Sequence, residues 1–172
     1  GDLRIDEYPV LKQEYNNVSS DYVSLSDQIR LAQFDEIDRI TQIKQIITEV
    51  PNKYGMKKLV DTMVIEPESY FESFSSDDYE VSHKSNSGIQ EISNNLTEGS
   101  TCMISKAYAI EDSLKIGDII SVYFETSSSE YYINKSGSMN LEIIGICSFL
   151  PGLKISQGLD LIIGEASMPS LI

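Results

Sequence analysis

The apolar residues of this chain arrive in short, punctuated runs, such as Ile143–Ile146 and Leu161–Ile163, and this limits the fold more than any other feature. Runs of this length suit strands and short amphipathic helices. A bilayer-spanning helix needs about 20 apolar residues, so no segment reads as a transmembrane span. No segment has the basic start and apolar core of a signal peptide, and no retention or lipidation signal is present. The chain as given reads as soluble. Opening at Gly1-Asp2 without an initiator methionine, it also reads as a domain excised from something longer.

The turns between these runs set out a mixed order of elements. Leu3–Ile5 reads as a short strand, Pro9 opens a helical stretch over Val10–Asn16, and Val18–Leu25 alternates as a strand or extended lead-in. Ile37, Ile40, Ile43, Ile46, Ile47 and Val50 recur at intervals of three and four between a capping Asp35 and Pro51. That spacing predicts an amphipathic helix, with a strand pair as the alternative because so many of these residues are β-branched. Asn52–Gly55 is a turn and Leu59–Ile65 a strand. Glu66-Pro67-Glu68 starts a helix carrying Tyr70, Phe71 and Phe74. Residues 75–88 are polar and read as a surface loop or a crossing between subdomains.

Ile89–Leu96 reads as a helix and Thr101–Ile104 as a strand, with Ser105 capping a helix over Lys106–Ser113. Ile119–Phe124, Leu141–Phe149 and Leu159–Ile163 read as strands. Thr126–Ser129 and Lys135–Ser138 read as turns around Tyr131–Ile133. Helices and strands in mixed order with local hairpins indicate an α+β fold.

Composition narrows the function. Thirteen basic and 27 acidic residues leave a formal charge of −14. Nucleic acid and anionic membrane surfaces both require a basic face, so such partners are excluded. Apolar residues at 41% and charged residues at 23% suffice for a core. The two cysteines, Cys102 and Cys147, sit in apolar strand-like stretches and read as buried free thiols. The alternative is a disulfide between them, which would imply an oxidising compartment. Asn17, Asn95 and Asn134 each open an Asn-x-Ser/Thr glycosylation pattern, a mild excess that leans toward the cell exterior.

No catalytic, cofactor-binding or metal-binding set assembles. A hydrolytic triad needs a histidine, and the only one, His83, lies in the polar stretch Ser82–Gly88 without a Gly-x-Ser-x-Gly turn. Asp77, Asp78 and Glu80 lack the spacing and central glycine of a calcium loop. Neither phosphate-cradling glycine pattern occurs, and the His-Glu-x-x-His zinc spacing is absent. The neighbours Glu111-Asp112 and Asp35-Glu36 would point about 100° apart on a helix, which reads as a solvated face. Ten tyrosines without tryptophan suit either half-buried core positions or a glycan or peptide surface.

Four segments carry a resemblance. They are Met63–Phe71; Met103–Ala109 followed by Leu114–Val122; Leu141–Ile146; and Phe149–Leu153. Within them Gly117-Asp118 reads as a tight turn launching a strand, and Gly145 as a point of close backbone approach. In this order and spacing, over about residues 60–164, the chain resembles the extracytoplasmic domain of MacB/FtsX-type ABC transporter permeases. The resemblance implies a non-enzymatic domain of a cell-membrane protein, on the extracytoplasmic side between two transmembrane helices. A separate cytoplasmic ATPase subunit would drive it, and the domain would pass that motion to an extracytoplasmic cargo or partner.

The resemblance also implies two lobes: a mixed α/β, porter-like lobe over 1–88 and a β-rich, sabre-like lobe over 89–158, with 159–172 returning to the first. The family's first lobe normally receives a longer return stretch, so with the chain stopping at Ile172 either that lobe is truncated or this branch is smaller. The segment 75–88 would be the hinge between the lobes. The alternative is a free secreted or surface-attached module that binds a glycan or peptide, with an enzyme domain whose catalytic residues lie elsewhere as a third reading.

Overall fold

A computed structural model describes residues 13–15, 18–20, 41, 43–75, 80–83, 88–128, 133–151 and 160–168. Nine strands are present among these: β1 (Gln13–Tyr15), β2 (Val18–Ser20), β3 (Ile43–Pro51), β4 (Lys57–Ile65), β5 (Glu80–His83), β6 (Thr101–Ser105), β7 (Ile119–Ser128), β8 (Ile133–Phe149) and β9 (Asp160–Gly164). Three α-helices accompany them, α1 (Pro67–Glu72), α2 (Gly88–Glu98) and α3 (Lys106–Glu111), and a 3₁₀ turn, η1 (Glu165–Ser167), follows β9. No helix among the described residues is long and apolar enough to cross a membrane.

The main sheet runs β5-β8-β6-β9-β4-β3-β7, and β7 pairs back onto β8. Six strands therefore close into a barrel, with β5 as a spur on the far edge of β8. The 17-residue β8 makes closure possible, because its first part pairs with β7 and its last part with β6 and β5. The stagger can be followed strand by strand from Ile143 to Cys102, Ile163, Val64 and Lys44. Extending the single Glu49–Tyr123 pairing of β3 with β7 then leads to Ser128 and on to Ile133, ten residues before the start. So large a stagger for six strands tilts them steeply, and side chains fill the interior.

This closed barrel corrects the α+β expectation of a porter-like lobe with a β-rich lobe beside it. β3 and β4, from the stretch read as the first lobe, share one sheet with β6, β7 and β8 from the second and with β9. An inter-lobe hinge at 75–88 falls with that architecture. Its middle, Glu80–His83, is β5, hydrogen-bonded to β8.

The alternation of β3 explains the largest local error. Ile46, Thr48 and Val50 point into the barrel, while the residues between them are only partly buried. The three-and-four spacing of isoleucines that predicts a helix is here a period-two strand, with β-branched side chains on both faces. Gln13–Tyr15, read as part of a helical stretch, is also a strand. Thr126–Ser128 and Lys135–Ser138, read as turns, continue β7 and β8 as a paired ribbon. Leu3–Ile5 and Asp35–Ile40 lie outside the described residues.

Two apolar clusters follow from the closure. The barrel interior holds Ile46, Val60, Cys102, Phe124, Leu141 and Ile163 among others. It also encloses the hydroxyls of Thr48 and Thr62, which satisfy each other at 2.8 Å. Outside, α1 and α2 lay Tyr70, Phe71, Ile92 and Leu96 over Met63, Met103 and Ile162. Glu66 caps α1, its carboxylate accepting the Ser69 N–H at 2.7 Å with Pro67 at the first helical position. Tyr70 donates its hydroxyl to the Pro151 carbonyl at 2.6 Å and fastens α1 to the end of β8.

Candidate functional site

The mouth of the barrel beside the β3–β4 hairpin collects the chain's most unusual side chains. The hairpin is fixed by Asn52, whose side-chain oxygen accepts the N–H groups of Tyr54 and Met56, each at 2.9 Å. Its backbone N–H donates to the Met56 carbonyl at 2.7 Å. Across the mouth lies α3, capped by Ser105, whose hydroxyl accepts the Tyr108 N–H at 3.2 Å. The helix turns Tyr108 and Ala109 down into the barrel as a plug.

A buried charge pair joins these two elements. Lys58, on the second residue of β4, pairs with Asp112 just past α3, and its ammonium lies 3.9 Å from Glu111. The same ammonium sits 4.7 Å above the centre of the Tyr108 ring. The other Asp112 oxygen accepts the Lys53 N–H at 3.4 Å. The Asp112 side chain is 5% exposed and that of Lys58 17%. The Tyr108 hydroxyl finds no hydrogen-bond partner among the described residues. Burial first, then the charges of Asp112, Cys102 and Glu111, push its ionisation above the usual phenol range.

This cluster fastens the β3–β4 hairpin to α3. Asp112 alone balances the lysine's charge, Glu111 adds a second negative charge beside it, and the Tyr108 ring covers one side of the ammonium. Read from sequence as a solvated face, Glu111-Asp112 divides instead: Glu111 is exposed and Asp112 is buried. The reason is positional, because Asp112 follows the last residue of a six-residue helix and turns inward to meet β4.

Around the fastening lies apolar surface. The large apolar side chains exposed among the described residues are Tyr54, Met56, Leu59, Ile110 and Ile119, ranging from 54% for Leu59 to 74% for Tyr54. Tyr54 and Met56 are on the hairpin, and Ile110 is two residues before Asp112. Extending the β3–β7 register by four residues sets Ile119 level with Lys53. Leu59 stands apart on the outer wall of β4, level with Glu49 and Tyr123. An apolar set of this kind gathered at one end marks an interaction surface.

The residues singled out in the sequence lie elsewhere. Cys102 faces the barrel interior and Cys147 the helical cover, and no disulfide joins them. Cys147 pairs in register with Ser105, three positions along from Cys102, which at about 3.3 Å per residue puts them near 10 Å apart. Burial holds the Cys102 thiol above its ordinary range, with Glu142 adding to it. Asn95 is half-buried within α2. Asn134 lies in β8 with its side chain outside what is described, Asn17 is outside the described residues, and His83 is known only as the end of β5. Asp77 and Asp78 are outside as well. Among the described residues no group of three or more potential ligands converges on a metal position. Tyr70 and Tyr108 are core residues, which leaves Tyr54 as the tyrosine presented to solvent at the mouth.

No protein-family model matches this chain, and no curated protein matches it either.

The sequence reading missed this site. Its one legible signal is Lys53-Tyr-Gly-Met-Lys-Lys58, a turn that carries large apolar residues where polar ones are usual.

Proposed function

We propose that this chain is a non-enzymatic extracytoplasmic domain of an ABC transporter permease, resembling the MacB/FtsX type but built as one barrel with a helical cover. A separate cytoplasmic ATPase subunit drives the permease, and this domain passes the motion outward by contact. The observation that carries the contact role is the gathering of Tyr54, Met56, Ile110 and Ile119 at one end of the barrel. The resemblance supports the permease. Its segments fold as β4 with α1, β6 with α3 and β7, and the last part of β8. Gly117, in the expected turn, has φ +96°, and the Asp118 carboxylate accepts the Lys115 N–H at 2.9 Å to close it. Gly145 lies against side chains, Val81 and Met103, more than against backbone.

The geometry of the barrel suits that role. β4 leaves the hairpin and β9 runs parallel to it, so η1 lies at the opposite end from Tyr54. A membrane helix joined beyond η1 would leave the hairpin end facing away from the bilayer.

The test is made on the full-length parent protein in its native membrane. This region should be cut by protease added from outside, and an ATPase subunit should co-purify with the protein. Tyr54→Asp with Ile110→Asp should abolish transport while leaving ATPase assembly intact. A parent protein without flanking membrane helices, or without an ATPase partner, would overturn the permease reading.

A further inference from the structure

We propose that the hairpin end of the barrel is the face through which two copies of this chain pair, with Tyr54, Met56, Ile110 and Ile119 of one packing on the same residues of the other. The inference rests on the reading of this end as a contact surface and adds the occupant.

Charge carries the choice. At −14 overall, two copies repel each other over most of their surface. The hairpin is the exception, since residues 53–58 hold three lysines and no acid; Lys57 is taken up by Glu49 at 3.9 Å, so Lys53 carries the positive charge of the patch. Lys53 rests its ammonium 5.3 Å above the Tyr54 ring, so the charge lies on the apolar patch itself. Lys58 is already matched by Asp112. Glu111, at the end of α3 and 3.9 Å from the same ammonium, is the negative charge left in excess beside that pair.

The patch therefore carries both signs in separate places around an apolar centre. A two-fold contact suits this arrangement, because the Lys53 of one copy can meet the Glu111 of the other and the reverse. A strongly acidic or strongly basic partner would match only half of the patch. An anionic bilayer would attract the lysines but repel the rest of the molecule.

Sedimentation equilibrium from about 1 µM to about 1 mM chain tests the pairing. A reversible dimer is expected, tighter at high salt than at low salt because screening relieves repulsion between the acidic bodies. Tyr54→Ser and Ile110→Ser should each weaken it about tenfold or more. Leu59→Ser, on the outer wall, should leave it unchanged. Circular dichroism melts of each variant establish that the fold is intact. A chain that stays monomeric throughout overturns the proposal, as does a dimer indifferent to Tyr54→Ser and Ile110→Ser or broken by Leu59→Ser. If the chain is monomeric and the parent transporter still fails with Tyr54→Asp and Ile110→Asp, the contact surface stands and the second copy does not.

Discussion

At Gly164 a methyl group would collide with the carbonyl oxygen of Leu96 and press on the Pro67 ring, 3.3 Å away. Two helices, α1 and α2, meet the end of β9 at this glycine, and backbone cannot give way as a flexible side chain can. Gly164→Ala is expected to cost about 3 kcal/mol in urea unfolding, at the upper end for overpacking. Loss of less than about 0.5 kcal/mol, as at an ordinary surface site, would contradict the packing. Lys58 and Asp112 make the complementary case, where removing atoms does the damage. Lys58→Met leaves the Asp112 carboxylate buried beside Glu111 without its cation, an expected loss of about 3 kcal/mol. Adding Asp112→Leu should restore most of that loss, since the pair's attraction mainly offsets its own desolvation. The coupling is read from the double-mutant cycle. Additive losses would show that the two groups do not act as a pair.

At the scale of elements, the caps were plain in the sequence and one strand was not. Glu66-Pro67 and Ser105 announced α1 and α3 because a cap is a local bond between residues three apart. Leu59–Ile65 and Leu141–Phe149 read as strands because apolar and β-branched residues dominate them. β3 misled because Ile43, Ile46, Ile47 and Val50 satisfy a helical spacing as well as a strand whose two faces are both partly covered. Only pairing with β4 and β7 decides between them. The barrel mouth was hidden for the same reason, since Asp112 and Lys58 are 54 positions apart and meet only on closure. The α1 cap also has a pH signature. Hydrogen bonding from the Ser69 hydroxyl, opposed by some burial and helped by the Ser69 N–H, holds the Glu66 carboxyl below its ordinary 4.5. A depressed carboxyl stabilises the fold above its unfolded value and loses that effect as pH falls through the folded one. Glu66→Gln should therefore lower the melting temperature at neutral pH, with the difference from the parent shrinking below about pH 4.5. A difference that stays constant down to strongly acidic pH would mean that the carboxylate's charge is not what caps α1.

Over the whole molecule, the two cysteines report on two different layers, and this gives the closure of the barrel a direct test. Cys147 lies under the helical cover with Tyr70 and Leu96, its thiol donating to the Ile104 carbonyl at 3.4 Å. Lifting α1 and α2 exposes it while every strand pairing of the barrel stays in place. Cys102 lies inside, among Ile104, Leu141 and Ile163. It can meet solvent only if a seam of the barrel parts or α3 lifts its plug from the mouth, either of which opens the barrel. The two thiols, near neighbours on adjacent strands, should thus label at different rates in the native protein. The Cys102→Ala variant isolates Cys147, whose labelling should proceed through a partial opening that depends weakly on urea. The Cys147→Ala variant isolates Cys102, whose labelling should follow global unfolding with the full urea dependence, since that slope scales with the surface exposed. The raised ionisation of the Cys102 thiol acts in the same direction, because the reactive thiolate is disfavoured until the apolar surroundings are gone. Equal opening free energies and slopes at the two sites would make cover and barrel one cooperative unit. Faster labelling of Cys102 would mean that the β3–β7 seam, held at the single Glu49–Tyr123 pairing with Lys57 lying 3.9 Å from the Glu49 carboxylate and 5.2 Å above the Tyr123 ring, opens before the helices lift.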